Sequence, residues 1–360
     1  MGTHLDEIRS LLMLASGYPA EALPDVWRQA LTILTGPDTR YWNRLIIPIY
    51  ENLKSNRLFE QVADDIHAVL QKKFMELLTM QTIQQNWVER IVGLLVHNRI
   101  PAILLKGAAC GGTLYDPAYS RLSQDIDVLV QRKDTTALFG LMSSIGQLKP
   151  PDPSRRFSAA HSHETTIPLN ASMPFNLEVH TELHPRFSFH IDPRVLWETS
   201  TPHPHYRSDG IRMLAPELQL VYLATHSFFH LEYEPHHLVD ACRLIRTFRP
   251  DIDRAVRYAR EWGCLTILTT LFMQLEFWFG ISNPLRLSVV QRWKIKRIGD
   301  RFRNPAIPST HDVRFVDQIR SMILHDRYCR VVYFAAWYVF KQVMDRVMIG
   351  RINRKGRIDV

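Results

Sequence analysis

Cysteine is scarce in this chain: four residues in 360, Cys110, Cys242, Cys264 and Cys329, with no close pair. That spacing excludes a disulfide framework and a cysteine zinc site, and it suits buried thiols in a reducing compartment. No apolar run approaches the ~20 residues that a membrane span requires. The first residues, Met1-Gly2-Thr3-His4-Leu5-Asp6-Glu7, lack a basic region followed by an apolar one, so no secretory signal is expected. Internal repeats and low-complexity tracts are lacking too. These absences together lead to the expectation of a cytoplasmic globular protein.

What is present is ordinary in bulk and unusual in detail. Hydrophobic residues make up 46% and charged residues 22%, as in soluble proteins, and the length allows a sizeable core in two or three domains. Lys and Arg number 44 against 36 Asp and Glu, a net charge of +8. The excess favours anionic partners such as nucleotides, nucleic acid or a membrane surface, without choosing among them, and it also serves to keep a surface solvated.

The apolar spacing divides the chain into three. Residues 1–100 read as helices: Leu5, Ile8, Leu11, Leu12 and Leu14 recur at helical spacing, and from Leu58 to His97 a period near 3.6 runs almost without breakers. Residues 101–212 alternate. Strands are expected over Pro101–Leu105, Gln124–Val130, Phe157–Ile167 and Phe175–Leu183, with helices over Ala108–Leu114 and from an Asp134 N-cap to Ile145. Residues 213–360 read as helices starting near Pro216, Pro235, Asp251, Leu265 and Pro284, with a long one from Val313 towards Val347. The expected fold is α+β, a small mixed sheet flanked by N-terminal and C-terminal helical regions.

The chemistry concentrates at two places in the middle region. A strand ends at Lys106-Gly107-Ala108, and 18 residues past that glycine comes Asp125-Ile126-Asp127 inside an apolar run. Side chains two apart on a strand share a face, so the two carboxylates project together about 7 Å apart at the backbone. Such a pair calls for a cation between them. A glycine at a strand end lets a phosphate approach, and the following helix start offers N–H groups to it. Lys106 supplies a point charge, and Arg121 supplies either a phosphate fork or a salt bridge to Asp116. Glu178 is the best placed third acid, with His180 on the same strand face. The plain alternative makes Asp125, Asp127 and Glu178 exposed strand acids paired with surface cations, and Lys106 a solvated strand end.

Taken together, Leu105-Lys106-Gly107, Leu114-Tyr115-Asp116-Pro117, Arg121, Asp125-Ile126-Asp127 and the later Glu178-Val179-His180 resemble the nucleotidyltransferase superfamily that includes DNA polymerase beta. Within it they resemble a bacterial group of nucleotidyltransferases with a later Asp-x-His strand. The helical tail is similar as well, with Leu214-Ala215-Pro216-Glu217 leading to His226 and then Leu238-Val239-Asp240. The resemblance covers roughly residues 60–250. It implies transfer of a nucleoside monophosphate from an NTP to an acceptor: a small molecule, a peptide or protein side chain, or RNA. It implies Asp125, Asp127 and Glu178 as catalytic and metal-holding residues for Mg²⁺ or Mn²⁺. Lys106, Gly107, Ala108, Arg121 and Ser123 would bind the nucleotide. This chain has Lys-Gly where the superfamily has Gly-Ser or Gly-Gly, and Glu where Asp is commoner. A catalytically silent binding or scaffold protein that keeps the fold is therefore the second reading.

Three further patterns compete. His161, His163, His180, His184, His203 and His205 alternate on or near strands, a pattern open to a transition metal, to packed histidines or to a proton shuttle beside the site. A basic run at 286–303, with Trp293, offers either an RNA contact or a solvated helix face. The apolar stretch Val331–Phe340 before a basic tail is expected to be a core helix rather than a membrane-surface anchor.

Overall fold

In this computed structural model the described residues are 2–36, 42–144, 163–169, 175–185, 188–229 and 234–298, together with Asp326, Val332 and Ala336. The N-terminal region is helical as its spacing predicts: α1 (Gly2–Ala15), α2 (Trp27–Thr35), α3 (Asn43–Ser55) and α4 (Asp64–His97). In α1 the expected stripe of Ile8, Leu11, Leu12 and Leu14 is fully buried. The long α4 turns Val88, Ile91 and Leu95 inward over its last turns, where they meet the sheet.

That sheet has six strands: β1 (Ala102–Leu104), β2 (Asp125–Val130), β3 (Glu164–Pro168), β4 (Asn176–His180), β5 (Thr201–Pro202) and β6 (Ile211–Met213). Their order is β3-β4-β2-β1-β6-β5. Central β2 runs antiparallel to β1 and parallel to β4, while β1 is parallel to β6. Residues 157–162 of the expected third strand lie outside the described residues. Strands β5 and β6 were not expected; two and three residues are too few to show alternation.

Among the described residues, helices then accompany and follow the sheet: α5 (Lys106–Cys110), α6 (Thr135–Ser144), α7 (Pro193–Thr199), α8 (Pro216–Phe229), α9 (Pro235–Phe248) and α10 (Ile252–Trp262). Then come α11 (Leu265–Phe279) and α12 (Val289–Ile298). The expected Asp251 start is real: its Oδ1 accepts from the Arg254 N–H at 3.0 Å and caps α10. Two expectations need correction. Helix α5 begins two residues before the expected span and ends four residues short of it, at Cys110. The helix placed at Pro284 starts instead at Val289, because the residues between are held by local contacts such as Asn283 Oδ1 accepting from the Leu285 N–H. The long helix expected over Val313–Val347 falls outside the described residues, apart from isolated positions.

The two faces of the sheet bury different things. On one, Ile126, Val128 and Val130 of β2, Leu177 and Val179 of β4 and Leu104 of β1 pack against α4 and α6. Each such side chain contributes about 1.5–3 kcal/mol by leaving water. On the other, Ile103, Leu105 and Leu129 join the large helical core with residues of α8, α9 and α11. Strand periodicity puts Asp125 and Asp127 on this second face. A one-residue slip would drive both carboxylates into the dry face, so the register is firmly specified.

Candidate active site

The parallel pairing of β2 with β4 sets Asp125 opposite Asn176, Asp127 opposite Glu178 and Leu129 opposite His180. Register partners share a face, so two acids from β2 meet an amide, an acid and an imidazole from β4. The β1 ladder continues one residue further, with the Leu105 N–H donating to the Asp127 carbonyl at 3.0 Å. Lys106 follows at once, in the left-handed region at φ 45°, a strained conformation for a long side chain. That turn brings its Nζ onto the carboxylates. Nζ donates to Asp127 Oδ1 at 2.6 Å and to Glu178 Oε2 at 3.4 Å. His180 Nε2 lies 3.0 Å from the same Asp127 oxygen and 3.7 Å from Glu178 Oε2.

Charge balance explains the protonation states. Burial opposes ionisation of Asp127, but Lys106 and His180 outweigh it and hold the carboxyl well below the usual range. Glu178 gains from a His180 hydrogen bond, yet burial and the Asp127 carboxylate beside it raise its pKa. Burial alone would lower Lys106; the carboxylates it touches raise it, so it stays an ammonium. For His180 burial is likewise outweighed by Asp127 and Glu178, and its pKa is raised. The result is one firmly ionised acid and one more basic acid sharing a single lysine.

The structure gathers some of the expected residues and separates others. Asp127, Glu178 and His180 each offer a donor atom within 4.8 Å of the others, an arrangement able to hold a metal ion. Asp125 stands apart from that trio, its Oδ1 accepting from Asn176 Nδ2 at 3.0 Å. Gly107 is required for a reason other than phosphate approach: a Cβ there would sit 2.7 Å from Ser123 Cβ. Ser123 in turn is turned inward, its Oγ donating to the Asp125 carbonyl at 2.9 Å. Ala108 is buried against the sheet. The space beside Gly107, Ser123 and Asp125 is about 10 Å³, room for about one water.

Arg121 pairs neither with Asp116 nor with open space. Its Nε and Nη2 donate to the Asp240 carboxylate on α9 at 2.8 and 2.7 Å, and Tyr115 Oη donates to the same carboxylate at 2.6 Å. The guanidinium is 5% exposed and the carboxylate 1%. Asp240 and Tyr115 thus have a role that reading local sequence did not assign, although both stand in stretches that carry the family likeness.

The competing signals resolve separately. His163 and His180 both border Glu164; His184 is buried beside Thr225 Oγ1 at 2.7 Å; His203 donates through Nε2 to the Ala109 carbonyl at 3.2 Å. His161 lies outside the described residues. In the 286–303 run Arg286 and Arg292 are exposed, whereas Lys294 is buried with Asp326 at 3.3 Å. Among the described residues no helix is long and apolar enough to cross a membrane.

A sequence model of the family described as "uncharacterised nucleotidyltransferase" matches residues 39–280. The match spans more than half of the chain, all six strands included, and the chain belongs to that family. No curated protein and no solved structure matches it.

Proposed function

We propose that this family member transfers a nucleoside monophosphate from an NTP to an acceptor and releases pyrophosphate. The single observation that carries this reading is the convergence of Lys106, Asp127, Glu178 and His180 on one sheet face, fed by three separate stretches of chain. Asp127 and Glu178, with Asp125 beside them, are the residues proposed to hold Mg²⁺ or Mn²⁺, hard cations that prefer carboxylate oxygens. The Asp127 and Glu178 oxygens fit such an ion, because with His180 Nε2 they already lie within 4.8 Å of one another. When bound, the ion supplies neutralisation of charge on the reacting phosphate oxygens.

The chain's own groups carry the remaining roles. Lys106 is the counter-ion of both acids, and it is proposed to turn to the triphosphate as nucleotide binds. Glu178, whose pKa is raised, suits acceptance of a proton from an acceptor hydroxyl. Arg121, held by Asp240, acts in this reading by positioning the segment that leads into β2. The acceptor is a small molecule, a peptide or protein side chain, or RNA; Arg286 and Arg292 are the exposed cations that an RNA acceptor would use.

One observation favours a second reading, a silent binding scaffold. Asp127 is already neutralised by Lys106 at 2.6 Å and His180 at 3.0 Å. Calorimetry with ATP, GTP, CTP and UTP, with and without Mg²⁺, separates the two. The transferase reading expects Mg²⁺-dependent binding of at least one nucleotide, followed by incorporation of α-³²P label into a lysate fraction. Absence of Mg²⁺-dependent binding for all four would leave the scaffold.

A further inference from the structure

The geometry points to a second metal site in this protein: a transition-ion site of the Zn²⁺ class made by His163 Nε2, Glu164 Oε2 and His180 Nδ1. These three atoms lie within 4.8 Å of one another. Glu164 Oε2 is 3.3 Å from His163 Nε2 and 3.6 Å from His180 Nδ1. Charge-assisted hydrogen bonds close to about 2.7–2.9 Å, and these pairs are longer. Ligands around a tetrahedral zinc at 2.0–2.1 Å stand roughly 3.3–3.4 Å apart, close to the 3.3 and 3.6 Å of the two pairs on Glu164. Two imidazoles and one carboxylate form a borderline donor set that suits Zn²⁺ better than Mg²⁺.

An independent observation comes from the His180 ring. The residue is 1% exposed, and its Nδ1 has no hydrogen-bond partner although it faces Glu164. A buried ring nitrogen without a partner costs free energy unless something fills its lone pair. The other nitrogen, Nε2, meets Asp127 Oδ1 at 3.0 Å. A carboxylate taking the N–H of a histidine whose second nitrogen binds metal is a recurrent way to fix the tautomer and raise ligand basicity. His163 is held in place by its backbone, whose carbonyl accepts from the Thr181 N–H at 2.8 Å. The side chains of Glu164 and His163 remain 35% and 19% exposed, so an ion has a path in and a fourth position faces solvent.

This site touches the proposed Mg²⁺ site only through the His180 ring, whose Nε2 faces Asp127 while Nδ1 faces Glu164, and it does not depend on nucleotidyl transfer. Zn²⁺ titrated into the full chain in excess Mg²⁺, followed by calorimetry and by the absorption of Co²⁺ in its place, tests it. We expect one ion per chain, with affinity lowered at least ten-fold by His163→Ala and by Glu164→Gln. Glu182→Gln, two residues beyond His180 on a half-buried acid paired with Arg132, should leave the affinity within two-fold. Both altered side chains lie on the edge strand or beside it, so the variants are expected to fold. A thermal midpoint that rises with Zn²⁺ in the parent chain and stays fixed in the variants provides the folded-state readout. Failure of the parent chain to bind Zn²⁺, or unchanged affinity in both variants, would overturn the site.

Discussion

Two groups of opposite charges sit within this molecule and differ in how completely they are satisfied. The Arg121–Asp240–Tyr115 group is sealed, with Arg121 Nε, Arg121 Nη2 and Tyr115 Oη all donating to one carboxylate and almost no exposure. The Lys106–Asp127–Glu178–His180 group is left open. Its lysine is strained and 20% exposed, Glu178 is 19% exposed, and one imidazole nitrogen has no hydrogen-bond partner. Desolvation cancels much of the gain in a buried ion pair, so the sealed group acts chiefly to fix where β2 and α9 meet. The open group holds strain and unused valence, which native structures tolerate where a ligand relieves them.

The sharpest way to break this contrast is Asp240→Ala, which strands a buried guanidinium. The expected loss is about 3–5 kcal/mol in denaturant unfolding. A loss under about 1 kcal/mol would show that the pair is no lock. Next comes acid. Burial lowers the His203 imidazole to about 4, against about 6.5 in an unfolded chain. As pH falls the unfolded chain takes up the proton first. Stability is therefore full above pH ~6.5 and drains away towards pH ~4, on the order of 3 kcal/mol in all. His203→Phe should flatten that limb of the pH–stability curve.

Asp127→Asn addresses the open group. Transfer is expected to fall at least hundred-fold, about 2.7 kcal/mol of barrier. Unfolding should shift by no more than about 2 kcal/mol, because Lys106 keeps Glu178 at 3.4 Å. A variant with full transferase rate would sink the catalytic role. The smallest effect belongs to Arg132→Ala. That residue meets Glu182 at 2.8 Å but is 59% exposed, so its removal should cost less than about 1 kcal/mol.

How much of this could be read beforehand depended on sequence distance. The shared face of Asp125 and Asp127 follows from a period of two and needs no partner. Alternation likewise puts Glu178 and His180 on one face of β4, while the pairing of β4 with β2 comes from the fold. By contrast, Asp240 lies 119 residues from Arg121, and no local pattern announces such a pairing. Local sequence offers Arg121 either a phosphate or the nearby Asp116, and the carboxylate it meets is Asp240. The left-handed turn at Lys106 was equally hidden, because a lysine carries no conformational signature as glycine does. β5 and β6 were too short to read, although β6 completes the sheet beside β1.

The order in which a ribosome delivers these pieces has a consequence of its own. Arg121 leaves the exit tunnel 119 residues ahead of Asp240, the anion it pairs with, an interval on the order of ten seconds at ordinary elongation rates. During that wait the nascent sheet also lacks β6, which begins at Ile211. The sheet-bearing half therefore cannot settle vectorially behind the advancing chain. A fragment cut before α9 would carry an orphaned guanidinium, making a trimmed, free-standing version of this protein a poor engineering target.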